Sequence, residues 1–365
     1  MRIGIVRQRY AAFGGAERYL TSLAVALAKQ GHDMHLFAHR WDQTAGITFH
    51  PVGMLRWPGF LRALSFAHQT RRILAYANMD LVFSLERTLQ QDIYRAGDGC
   101  HREWLRLRGC FLPAWKRLLL RINPLHRALL WIERRTFDRR HTGWIIANSH
   151  RVKNEIIHHY QYPADRITVI HNGVDTDKFK PLPQQRSPDQ FILLFVGSGF
   201  ERKGLHFAVR ALPYLPSNVR LRVVGRDNFR PYHALAKHLR IADRVDFLGP
   251  VAISSDVYAQ ANLLIHPAIY EPFSNACMEA FACGLPVVTT RVNGVAEIIQ
   301  PGVNGAIVDD PSDSSALGSA IRPFLDRAIW ERASKEARLT AEAHSFALHL
   351  QATLAVLNQS VAVPR

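Results

Sequence analysis

Two series of short apolar runs, each interleaved with helical periods, constrain the fold of this 365-residue chain more than any other feature. The first series holds Ile3–Val6, Met34–Phe37, Leu81–Phe83 and Trp144–Ile146. The second holds Ile192–Val196, Leu221–Val224, Val245–Leu248, Leu263–Ile265 and Val287–Thr289. Strands that alternate with helices read as parallel sheets covered on both faces. Between the two series lies Lys180–Pro188, rich in proline and polar residues, which reads as an interdomain linker. The predicted fold class is α/β, with two Rossmann-like domains of roughly 150 to 200 residues each. Ligands in such sheets bind beyond the strand C-termini. Two facing domains would therefore place the site in a deep interdomain cleft.

The remaining composition narrows the setting. No apolar run of about 18 residues is present, so no membrane-spanning helix is expected. Residues Met1–Arg7 read as a first strand rather than a signal peptide. Cys100, Cys110, Cys277 and Cys283 have neither zinc-type spacing nor the density of a secreted scaffold, which suits a reducing cytoplasm. The net charge of +16 implies an anionic partner, although a generally basic proteome would also produce it. No nucleic-acid module accompanies the charge, so nucleic acid is not an expected partner.

Glu271 and Glu279 carry the clearest chemical signal. They stand in a segment from His266 to Pro286 that follows the strand-like Leu263–Ile265. Pro272 favours an extended Glu271 and a helix start just behind it. Glu271 would lie on a loop and Glu279 roughly two turns into the helix. The N–H groups of Phe273 to Asn275 would face out of the helix N-terminus, a seat for phosphate. Two carboxylates beside an anion seat suit a ligand with hydroxyls at both ends and a diphosphate between them, the layout of a nucleotide sugar. Taken alone, two acids at this spacing more often mark an ordinary amphipathic helix.

The segment from His266 to Pro286 closely resembles the signature of retaining glycosyltransferases of family 4, which have the two-Rossmann GT-B fold. The resemblance extends to Phe13-Gly14-Gly15, Asn172-Gly173-Val174-Asp175 and Gly197–Gly204. It is nearest to the lipopolysaccharide core glucosyltransferase I branch, through Phe13–Gly15, Arg95–Cys100, the basic stretch after it, and Phe200–Gly204. The resemblance implies an N-terminal acceptor-binding domain over residues 1–175, joined by 345–365 crossing back. It implies a C-terminal nucleotide-sugar-binding domain over 176–344.

Residue roles follow from the same resemblance. Glu271 would bind donor-sugar hydroxyls and Glu279 the ribose. Arg202 and Lys203 would neutralise the leaving diphosphate, a task that fixed cations perform without reorganisation and without a metal. Gly14 and Gly15 would lie near the diphosphate and sugar. Arg226 and Val251 follow later strands, where the family holds the base. Phe273, Ser274 and Asn275 would line the donor, with Ser274 replacing the family's glycine. Asp98 would contact the transferred sugar or the acceptor hydroxyl; by pattern alone it is a turn residue between glycines. Asp175-Thr-Asp177 spells a metal-binding pair of another glycosyltransferase class, but it follows the turn signal Asn172-Gly173 and matches a non-metal segment of this family. Neither a metal nor a cofactor is expected, the UDP-sugar being a substrate.

Residues 101–141 contain eleven Lys or Arg and three acids, and so supply +8 of the net charge. Phe111, Trp115, Leu118, Leu119 and Ile122 fall on one helical face, and Pro124 should break the element. Basic residues with Trp and Leu on an amphipathic helix describe an interfacial membrane segment. The plainer alternative is a core helix with a solvated basic face. The combined expectation is an enzyme that moves a hexose, glucose, from a UDP-sugar to the inner-core heptose of lipopolysaccharide, bound peripherally to the cytoplasmic face of the inner membrane. The alternatives are another glycolipid or polysaccharide transferase with a different sugar donor, or an inactive membrane-bound nucleotide-sugar-binding protein.

Overall fold

The computed structural model describes residues 1–8, 15–41, 46–183 and 189–361. The chain divides into two compact units, Met1–His171 with Leu350–Arg365, and Asn172–His349. The expected linker lies only partly within the described residues, because 184–188 fall outside them.

The first unit is built on seven parallel strands: β1 (Arg2–Val6), β2 (Asp33–Ala38), β3 (Ile47–Pro51), β4 (Leu81–Ser84), β5 (Gln91–Ala96), β6 (Thr142–Ala147) and β7 (Ile167–Val169). Their order is β3-β2-β1-β4-β5-β6-β7. The helices are α1 (Gly15–Lys29), α2 (Gly59–Tyr76), α3 (His101–Cys110), α4 (Ala114–Ile122), α5 (Pro124–Thr136) and α6 (His150–Tyr160).

The second unit has six parallel strands: β8 (Phe191–Val196), β9 (Val219–Val224), β10 (Val245–Gly249), β11 (Leu263–His266), β12 (Val287–Thr290) and β13 (Gly305–Val308), in the order β10-β9-β8-β11-β12-β13. Its helices are α7 (Leu205–Ala211), α8 (Arg230–His238), α9 (Ser255–Ala259), α10 (Asn275–Ala282), α11 (Ser314–Ile321) and α12 (Arg327–Ala343); α13 (Phe346–Val361) follows them in the chain. Every residue of β8, β11 and β12 is buried, as strands covered on both faces must be. Ile192, Leu194, Leu264 and Val287 form one core with Met278 and Phe281 of α10.

Both sheets reverse their strand order once, between β1 and β4 in the first unit and between β8 and β11 in the second. A parallel sheet opens a crevice at that reversal, outside the strand C-termini. The loops that follow β8 and β11 contain Arg202, Lys203 and Glu271.

Candidate active site

The loop after β8 is anchored by the buried Phe200, which packs against Phe195 and Tyr232, and by a close backbone approach at Gly204. Gly204 has φ +77°, and a Cβ there would meet the Pro267 carbonyl oxygen at 1.8 Å, so only glycine lets this loop reach the end of β11. The Lys203 ammonium folds back over Gly197, where a Cβ would lie 2.2 Å from Nζ, and approaches the Val196 carbonyl at 3.4 Å. Asp227, in the loop after β9, accepts the N–H groups of Gly199 at 3.2 Å and Phe200 at 3.0 Å. Sequence reasoning missed Asp227; its only signal was its place beside Arg226 at a strand end.

Glu271 is fixed at both backbone and side chain. Its N–H donates to Val292 at 3.2 Å, and its carbonyl accepts from Gly294 at 2.9 Å. Arg202 Nη1 donates to the Glu271 carboxylate at 2.8 Å and to the Tyr270 carbonyl at 3.0 Å. Arg202 and Lys203 were expected as twin cations for a diphosphate. The structure sets them apart: Arg202 is paired with Glu271, and Lys203 lies over Gly197. His266 Nε2 stands 3.7 Å from the same carboxylate. Burial, reinforced by the Lys203 and Arg202 charges, holds His266 well below its ordinary pKa and keeps it neutral. Glu271 therefore has Arg202 as its cationic partner.

Helix α10 begins later than Pro272 suggests. Ser274 is its N-cap and accepts from Cys277 N–H at 3.3 Å; its hydroxyl also bonds His266 Nδ1 at 3.1 Å. The Phe273 side chain is 4% exposed and belongs to the core. Of the three expected donor-lining residues, only Asn275 presents an exposed side chain; Phe273 and Ser274 offer backbone alone. Asn172 Nδ2 donates to Asn275 Oδ1 at 2.8 Å and to the Phe273 carbonyl at 3.4 Å, a link between distant segments that the sequence did not reveal. Glu279 is the fifth residue of α10, little more than one turn in rather than two, because the cap falls at Ser274. Its carboxylate accepts the hydroxyl of Tyr258 at 2.6 Å. Burial and the Glu279 charge push that phenol well above its ordinary pKa, so it stays a donor.

Arg226 and Val251 are exposed at the C-terminal ends of β9 and β10. The Arg226 N–H donates to Ser198 Oγ at 3.2 Å, joining its loop to the one after β8. The second unit thus gathers Arg202, Lys203, Arg226, Val251, Glu271, Asn275 and Glu279 around the C-terminal edge of one sheet. Asp175, from the possible metal pair, accepts the N–H groups of Asp177 at 3.2 Å and Lys178 at 2.9 Å, as a turn acid does.

The profile described as "Glycosyltransferase Family 4" matches residues 13–178, and that described as "Glycosyl transferases group 1" matches 177–343. The lipopolysaccharide glucosyltransferase WaaG of Escherichia coli strain K12 is 27% identical over 342 residues, covering 89% of this chain and 90% of its own. The crystal structure of WaaG, a glycosyltransferase involved in lipopolysaccharide biosynthesis, matches with a TM-score of 0.82 at 25% identity, over 97% of this chain and 99% of that one. The chain is a GT-B glycosyltransferase. A crystal structure of Anabaena HepE in complex with UDP-glucose has the same fold, with a TM-score of 0.71 at 20% identity over 98% of this chain and 100% of that one.

In the first unit of the glycosyltransferase, Gly15 opens α1, whereas Gly14 lies outside the described residues. Asp98 is exposed in the turn that follows β5, at the C-terminal edge of the sheet. Residues 101–141 form three helices. The expected stripe is interrupted: Phe111 ends α3 and Pro113 caps α4, because proline lacks the N–H to continue a helix but suits its start. Helix α4 buries none of its residues. Trp115, Leu118, Leu119 and Ile122 are 61%, 59%, 51% and 57% exposed. Pro124 ends this run and starts α5, with Asn123 as N-cap. No helix among the described residues is long and apolar enough to cross a membrane.

Proposed function

We propose that this glycosyltransferase moves glucose from UDP-glucose to a membrane glycolipid, the inner-core heptose of lipopolysaccharide, with retention of the anomeric configuration and without a metal. The observation that carries the donor half is the arrangement at the edge of the second sheet. Glu279, little more than one turn into α10, is assigned to ribose hydroxyls and Glu271 to sugar hydroxyls. Lys203, Arg202 and the N-terminal N–H groups of α10 supply positive potential for the departing diphosphate. Arg202 would then serve two anions, holding Glu271 while turning toward the phosphate. The GT-B relative solved with UDP-glucose and the relative named for lipopolysaccharide glucosyl transfer support this donor and this acceptor.

Asp98 is assigned to the transferred sugar or the acceptor hydroxyl, where a carboxylate stabilises developing positive charge or accepts a proton. No residue is assigned as a covalent nucleophile, and a front-face, ion-pair-like substitution is proposed. Helix α4 is assigned to the acceptor's membrane. Its four exposed apolar side chains and the basic residues Lys116, Arg117 and Arg121 suit an anionic bilayer interface, and this supports a peripheral position on the cytoplasmic face of the inner membrane.

A screen of nucleoside-diphosphate hexoses by mass spectrometry, with and without rough lipopolysaccharide, tests the reading. UDP-glucose should be consumed, with hexose added to the glycolipid. Absence of turnover with every UDP-hexose, or a product of inverted anomeric configuration by NMR, would sink it.

A further inference from the structure

Glu133, on α5, has a fully buried side chain. Its carboxylate collects donors from three other parts of the first unit. The N–H groups that open α3 donate to it, His101 at 2.5 Å and Arg102 at 3.0 Å. Tyr160 of α6 donates its hydroxyl. The Arg87 guanidinium pairs with it at 3.1 Å. Arg87 then extends to the turn after β5, donating from Nη2 to the Gly99 carbonyl at 2.8 Å and the Asp98 carbonyl at 3.4 Å.

Helix α3 has Cys100 at its N-cap and no side-chain cap of its own. Glu133 fills that place from another helix, with a negative charge where the helix dipole favours one. A buried ion pair is a poor source of stability, since well-packed apolar side chains of similar volume do as well or better. What this pair does supply is geometry. It grips the carbonyls of residues 98 and 99 from one side and the N–H groups of 101 and 102 from the other, with only Cys100 between.

We propose that Glu133 and Arg87 are a positioning pair that fixes the backbone bearing Asp98 and ties it to the α3–α5 segment. The proposal rests on the reading of Asp98 as a residue that meets the transferred sugar or acceptor. Glu133→Gln keeps the volume but cannot serve the two N–H groups, the phenol and the guanidinium together. Arg87→Lys keeps the charge but loses the planar fork.

Hydrogen exchange of amides 97–102, read on the full chain without substrate, should speed up by about tenfold or more in both variants. With UDP-glucose and rough lipopolysaccharide, kcat should fall on the order of 10- to 100-fold, as expected for a displaced reacting group, while KM for UDP-glucose stays within about threefold. In an Asp98→Asn background the added loss from Glu133→Gln should shrink to less than about twofold, because the pair acts through Asp98. If Glu133→Gln does not fold, Arg87→Lys carries the same three measurements. Unchanged exchange and kcat would overturn the proposal, as would an undiminished loss in the Asp98→Asn background. Wild-type turnover by Asp98→Asn alone would remove the Asp98 reading and the catalytic part of the proposal with it, while the exchange measurement would still report whether the pair holds the turn.

Discussion

Replacing Trp115, Leu118, Leu119 and Ile122 with Gln separates a membrane helix from a core helix, because the two make opposite demands. All four side chains are more than half exposed and α4 buries nothing, so folding should hardly register the change. Exposed substitutions usually stay within about 0.5 kcal/mol each, so the four together stay within about 2 kcal/mol, which for a domain of this size moves Tm by no more than roughly 4–8 °C. Gln also keeps helix propensity close to that of Leu. Membrane affinity should respond strongly. Full burial of such a side chain contributes about 1.5–3 kcal/mol, and about half of that remains available on each, so the four together are worth about 4 kcal/mol. That corresponds to about a thousandfold in partitioning. The basic residues Arg108, Lys116, Arg117 and Arg121 add about 1 kcal/mol each near an anionic surface, whereas Arg106 is taken up in an ion pair with Glu103 at 2.7 Å. Salt screens this second contribution and leaves the first. Wild-type sedimentation with anionic vesicles should therefore decline with salt without vanishing, and neutral vesicles should bind weakly. The Gln variant should lose the salt-resistant part while hydrolysing soluble UDP-glucose normally. Undiminished sedimentation of the variant, or a fall in Tm of about 10 °C, would refute the reasoning and make α4 a packed element.

Other outcomes follow from the donor site and from a partly buried histidine. Activity should survive EDTA, since Arg202, Lys203 and the α10 terminus supply the positive charge; loss on chelation with rescue by Mn²⁺ or Mg²⁺ would contradict this. Glu279→Ala should weaken UDP binding by about 10- to 100-fold, the worth of a hydrogen bond to a charged group. Glu271→Ala should leave UDP affinity within about threefold yet cut turnover by about two orders of magnitude; calorimetry showing the reverse ranking would reject the assigned roles. His101 has its pKa pushed down to about 3 by burial, then by the Arg87 and His126 charges. Its unfolded form takes up a proton first, so its contribution is complete above about pH 6.5 and is lost as pH falls toward 3, amounting to about 2 kcal/mol by pH 5. Melting curves for His101→Asn should show a shallower acid-side loss than wild type, and parallel curves would count against it.

The strands clearest in the sequence are β8 and β11, because burial on both faces writes itself into composition, while β2, β9 and β10 showed through single polar interruptions at His35, Arg222 and Asp246. Four strands lie outside the two apolar series: β3, β7 and β13 are at sheet edges, where one flank needs no apolar cover, and the interior β5 is broken by Asp92 and Arg95. The acids and cations of the donor site were legible as types at strand ends. Their pairing was not. Arg202 meets Glu271 across 69 positions because two loops touch at Gly204 and Pro267, and no local pattern encodes that approach. The same holds for Tyr258 with Glu279 and for Ser274 with His266. The helix start was misplaced because Phe273 takes a core position, which keeps the chain extended up to the Ser274 cap.

A nine-residue helix that buries nothing has little reason to persist in water, since short helices depend on packing for their stability. Helix α4 carries Lys116, Arg117 and Arg121 on the surface, where trypsin can reach them during purification. Cleavage there would not release either half. The N-terminus of α3 is bonded to Glu133 on α5, beyond the cut. If α4 holds the membrane as proposed, a nicked preparation would pass gel filtration as intact and keep its donor chemistry while losing its hold on lipid. Its failure on membrane acceptor could then be mistaken for the wrong substrate, when the defect is a cut chain that only a denaturing gel reveals.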